Sequence, residues 1–158
     1  MSQDRESQTH DSRRHNHSIL GGWLGSYCYR TRHEMPVRFE ATFSRARKGE
    51  HGFGGAILDD SPLGEAGVSH GLQTGPNVRF TKTYQDPPAE YETAPVHYLG
   101  TLSDDGRLVT GTWEMQLRHN GKIQRTTGRW EARRLWAEAE EAAAGRQSAD
   151  VEWELPVR

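Results

Sequence analysis

Between Ile19 and Trp136, apolar and polar residues alternate with a period of two, the spacing of strands that bury one face. Seven segments carry the pattern: residues 19–32, 36–45, 51–59, 77–85, 96–103, 107–118 and 122–135. An eighth, over residues 67–74, is less clear. Turn-forming residues separate the segments, at Lys48-Gly49, Asp86-Pro87-Pro88, Asp105-Gly106 and Asn120-Gly121. Strands at this spacing, without helices between them, predict an antiparallel meander.

Two of the turns set a register. Asn120-Gly121 as a two-residue hairpin turn places Leu117 opposite Gln124, Met115 opposite Thr126, Trp113 opposite Gly128 and Gly111 opposite Trp130. Each indole then covers a glycine on the partner strand, the arrangement a strongly curved sheet needs. Asp105-Gly106 likewise sets Leu102 against Val109, Gly100 against Gly111 and Tyr98 against Trp113. One face thus collects Trp23, Phe39, Phe43, Phe53, Ile57, Phe80, Tyr98, Trp113 and Trp130. The other carries Arg38, Glu40, Thr42, Arg79, Thr81, Thr112, Glu114, Arg129 and Glu131. One dry face and one wet face predict an all-β protein, an eight-stranded antiparallel up-and-down barrel. The barrel domain spans residues 19–135. A polar tail over 1–18 is expected to be disordered, and 136–158 to hold a short helix (137–144) and a C-terminal tail, in which Val151, Trp153 and Leu155 alternate.

Composition narrows the partners. The net charge is −2 with both signs interleaved, and no basic stripe stands out, so a nucleic-acid partner is not expected. No apolar run approaches the roughly 20 residues of a membrane span, so no membrane partner is expected either. Cys28 is the only cysteine, which excludes an internal disulfide and fits a reducing cytoplasm. His10, His15 and His17 lie in the tail, where flexible histidines bind metal weakly; no metal site and no cofactor is expected. Oligomerisation is left open.

The architecture resembles the calycin group, the lipocalin and avidin type of barrel. Gly21-x-Trp23 matches the early-strand motif of that group, and Arg133 or Arg134 is placed to supply its late-strand arginine across the indole. The resemblance implies a barrel whose base is closed by a cation–π contact. The polar ligand-holding residues of avidins have no match here, so biotin is not implied, and the paired cysteines of secreted lipocalins are absent.

Polar residues on the dry face are the candidate site. Lys82, between Phe80 and Tyr84, points inward by parity, and a buried lysine must neutralise, find a partner or hold something anionic. Asp59 ends its strand on the same parity and is a candidate partner. Tyr27, Tyr29, Tyr84 and Tyr98 add hydroxyls to the same interior, and Gln124 and Thr126 line its last strand. Plainer readings stand beside these. Lys82 snorkels at a barrel mouth or is turned out by a bulge, Asp59-Asp60 caps a turn, and the tyrosines are core. The glycine-bearing stretch 64–75 is either an ordinary loop or a lid that brings His70 to a ligand. Ser69 and His70, adjacent on an extended strand, would face opposite ways and form no nucleophile–base pair. His97 and Glu114 meet on the wet face as a surface pair. The leading function is small-molecule binding inside the barrel, for a partly apolar ligand that an inward Lys82 would favour as an anion. The alternatives are a cofactor-free cyclase, isomerase or lyase built on Lys82, and a filled barrel that works through its surface.

Overall fold

The computed structural model describes residues 17–30, 35–46 and 52–138. It contains eight strands: β1 (Gly21–Tyr29), β2 (Val37–Arg45), β3 (Phe53–Asp59), β4 (Glu65–Thr74), β5 (Asn77–Tyr84), β6 (Val96–Leu102), β7 (Leu108–His119) and β8 (Lys122–Ala137). Each pairs antiparallel with its neighbour in sequence, and β8 returns to β1, so the sheet closes as an up-and-down barrel. Closure removes every free sheet edge. No helix among the described residues is long and apolar enough to cross a membrane. The Lys48-Gly49 turn, His10, His15 and nearly all of the expected C-terminal helix lie outside the described residues; Ala137 ends β8.

Turn chemistry fixes the register as expected. Asn120 (φ 50°) and Gly121 (φ 73°) both take left-handed backbone, the type I′ geometry whose twist matches a hairpin. Trp113 then faces Gly128 and Gly111 faces Trp130; Tyr98 faces Trp113 across the preceding hairpin. A Cβ on Gly128 would lie 2.4 Å from the Trp113 indole, so that ring does cover its partner glycine. Trp130 behaves differently. Its ring covers Gly100 on β6, 2.6 Å from where a Cβ would stand, and its Nε1 donates to the Leu99 carbonyl at 2.9 Å. In a tilted barrel a long side chain leans along the strand direction and meets a diagonal neighbour instead of the residue opposite.

The alternation of faces holds around the barrel, with Trp23, Phe43, Ile57 and Val109 among the most deeply buried side chains. The half of the barrel where β1 begins is filled by aromatics. Phe43 lies 5.4 Å from Phe53 and 5.2 Å from Phe80, which stacks on Tyr98 at 4.8 Å. Arg134, and not Arg133, closes that base: its guanidinium lies 4.4 Å over the Trp23 ring. The same fork donates to the carbonyls of Gly106 (2.8 Å), Leu20 (3.0 Å) and Ser18. Gln73 holds the entering chain, accepting from Ile19 N and donating to the His17 carbonyl.

The doubtful segment is a full strand, β4, so neither the loop nor the lid reading of residues 64–75 survives. A register shift between Ser69 and Leu72 interrupts it, with His70 at φ 54°. That bulge is why its alternation is hard to read.

Candidate functional site

The mouth of the barrel, opposite the Arg134 base, holds a cavity of about 450 Å³. Val37, Val96, Met115 and Leu117 give it apolar walls, and Tyr29, Tyr98 and Trp113 give it aromatic ones. Tyr29 and Trp113 meet edge to face at 4.9 Å, and Tyr27 meets the same indole at 6.1 Å. Gln124 and Thr126 of β8 border the cavity, as do residues 61–63 of the β3–β4 turn and 91–94 of the β5–β6 connection.

A buried polar cluster lies behind Tyr27 and Tyr84. Parity on β5 sends Phe80, Lys82 and Tyr84 inward, and Asp59 follows Ile57 inward at the end of β3. Lys82 is 1% exposed and Asp59 4%, so neither snorkels nor caps a surface turn. Lys82 Nζ donates to Oδ1 of Asp59 at 2.8 Å and to Oδ2 at 2.9 Å. The Tyr27 hydroxyl donates to Oδ2 at 2.9 Å, and the Tyr84 hydroxyl donates to the same oxygen. The ammonium also lies 4.8 Å from the Tyr27 ring centre and 4.7 Å from that of Tyr84, within cation–π range.

Electrostatics follow from this packing. Burial lowers the Lys82 pKa from its ordinary value, while the Asp59 carboxylate opposes the shift. Burial first, and the adjacent Asp59 second, push the Tyr27, Tyr84 and Tyr98 hydroxyls up. All three stay protonated through the neutral range, and two of them spend that proton on Asp59. A carboxylate with four donated bonds is a satisfied structural node, poorly suited to take a proton from a substrate.

The sequence candidates therefore separate. Tyr27, Tyr29, Tyr84 and Tyr98 line the cavity. Lys82 and Asp59 come together as partners but stand behind the wall. His70 joins none of them; it is exposed midway along β4, its Nδ1 3.1 Å from Ser69 Oγ. The expectation that Ser69 and His70 face apart fails because left-handed backbone at His70 breaks the alternation. His97 and Glu114 are opposite in register, yet His97 bonds Thr81 at 3.2 Å and Glu114 pairs with Arg125 at 2.5 Å. The wall residues Trp113, Met115 and Val37 are not among the residues that the sequence singles out for the site. What distinguishes Trp113 is an indole Nε1 that is buried and has no hydrogen-bond partner among the described residues. Among the described residues no group of three metal-ligating side chains converges. Compared with known proteins, the chain matches no family model and no curated protein sequence.

Proposed function

We propose that this barrel binds a compact, partly apolar small molecule in its mouth. The observation that carries the reading is the 450 Å³ cavity, walled by apolar and aromatic side chains, at one end of an otherwise filled barrel. The filled half argues that the opening is a built feature, since enough aromatic volume is present to close a narrow barrel. Lys82 gives no reason to favour an anion, because Asp59 meets its charge below the wall. The same pairing weakens the lyase or isomerase alternative, which needs an acid or base free to reach substrate. Gly21-x-Trp23 under Arg134 supports kinship with calycins, and the lone Cys28 supports a cytoplasmic setting.

Native mass spectrometry of the protein purified gently from its own host, set against its denatured mass, tests this. The expected result is an excess mass of one small molecule that is lost on denaturation. No excess mass, together with no shift in thermal unfolding across a library of small aromatic compounds, would overturn the reading.

A further inference from the structure

The outer wall of the barrel around β1 carries a charge pattern that is its own complement. Leu24, Ser26 and Cys28 face outward along β1, and Leu24 is 47% exposed. Leu24 stands between Arg133 of β8 and Glu40 of β2, and Ser26 stands between Glu131 and Arg38. The sign of charge therefore reverses across β1 in each row, and it reverses again from one row to the next. All four charged side chains are exposed, and none forms an ion pair among the described residues. Further round the wall the chain does meet its own charges, Glu114 pairing with Arg125 at 2.5 Å. Trp136, 38% exposed, lies over Gly22 and extends the apolar centre next to Leu24.

A second copy of the chain matches this surface. A two-fold axis running along β1, between the copies, keeps each row in place and exchanges its flanks. Leu24 then meets Leu24 of the second copy, Arg133 meets the other Glu40, and Glu131 meets the other Arg38. That arginine enters a groove of about 380 Å³ bordered by Ser26, Thr110 and Glu131. An axis crossing the strands at Gly25 also opposes unlike charges, but it sets Leu24 on Ser26. The axis along β1 instead closes apolar on apolar at the centre with charge at the rim, the usual anatomy of an interface.

We infer that this protein pairs with a second copy of itself through the outer face of β8, β1 and β2, about a two-fold axis along β1. The two β1 strands run parallel in the pair, so both cavity mouths open towards the same side. Convex barrels touch over little area, which places the contact among transient interfaces of less than about 1,200 Å². The pairing is independent of what the cavity holds.

Sedimentation velocity over about 1 µM to 1 mM protein tests this. The native chain is expected to pass from monomer to dimer within that range, and to pair less tightly in high salt. Glu40→Arg and Arg133→Glu should each raise the dissociation constant about tenfold or more, because each sets like charges together at two symmetry-related contacts. Mixing the two variants should restore pairing as a heterodimer, and combining both changes in one chain should restore the homodimer. Cys28, the only cysteine, lies beside the axis, so a short bifunctional maleimide should link native copies in pairs. A chain that stays monomeric throughout, or a dimer indifferent to both charge reversals, would overturn the proposal. A combined variant that keeps the native circular dichroism but stays monomeric would overturn the axis, since the crossing axis would set its reversed charges against Glu131 and Arg38. Salt dependence and Cys28 linkage decide the matter on the native protein even if a variant does not fold.

Discussion

Lys82 shows how a single residue can be placed by pattern and yet be given the wrong task. Parity put it inside, and Asp59 shared its face, so the pair was legible. Its separation from the cavity was not, because that depends on which rings stand in front of it. The convergence of Tyr27 and Tyr84 on one carboxylate oxygen was also hidden, since it arises from the stagger of β1, β3 and β5. Lys82→Met should therefore act first on the fold. Removing the amine strands a buried carboxylate, and urea unfolding should show a loss of about 3–5 kcal/mol. Lys82→Met combined with Asp59→Leu should recover much of that loss, since an apolar pair leaves no buried charge unmet. The tyrosines give the pH dependence. Each has a folded-state pKa raised above its ordinary 10.0, so it stabilises fully below that pH and its contribution is lost as pH rises further. Lys82 acts in the opposite sense only up to its ordinary 10.5, because its folded-state value is lowered. Above that, stability should fall steeply, and absorbance at the phenolate band should rise together with the loss of near-ultraviolet circular dichroism. Smooth ionisation of all tyrosines in a folded barrel would contradict the buried cluster.

Strands and turns were the most readable level. The type I′ residues Asn120 and Gly121 fixed the β7–β8 register outright, because a short turn leaves the pairing no freedom. The β6–β7 register also matches the expected one, although its turn closes over Asp104 and Asp105, with Gly106 N donating to the Ser103 carbonyl. Strand β4 resisted because its bulge at His70 shifts the alternation partway along. The aromatic-over-glycine rule was half legible. Trp113 covers the glycine opposite, whereas Trp130 covers a diagonal one, and strand tilt does not show in a linear sequence. The two cases make different predictions. At Gly100 the atoms nearest an added Cβ are side-chain atoms of Trp130 and Val109, so Gly100→Ala should cost about 1–3 kcal/mol by overpacking. Adding Trp130→Phe should relieve that clash, giving a double variant less unstable than the sum of its parts. At Gly128 the nearest atom is the Cys28 carbonyl oxygen, at 2.0 Å, with the Trp113 ring behind it. Shrinking Trp113 to Phe should therefore give Gly128→Ala no comparable relief. No rescue at Gly100 in chemical denaturation would contradict the diagonal placement of Trp130, and rescue at Gly128 would contradict the backbone clash with Cys28.

The whole barrel divides its interior between a locked end and an open one. At the base, one arginine ties together three segments distant in sequence: β8 that carries it, the chain entering β1, and the β6–β7 turn. Its planar fork does this while stacking on Trp23, a combination that an ammonium cannot reproduce. At the mouth, the polar cluster of Lys82, Asp59 and the two tyrosines forms a rigid partition between aromatic core and cavity. Such a partition lets the cavity stay open without loosening the core, because each polar group behind the wall has its partner within the cluster. The two ends should consequently be separable by substitution. Arg134→Lys keeps the charge over Trp23 but loses the fork to the Leu20, Ser18 and Gly106 carbonyls, and should cost about 1–3 kcal/mol. Amide exchange should quicken at residues 18–23 and 103–108, which the fork bridges. Affinity for a mouth ligand should be unchanged, since none of the atoms that Arg134 bonds lines the cavity. If Arg134→Lys weakened ligand binding, the two ends would be coupled through the core, and the polar cluster would be a relay between them instead of a partition.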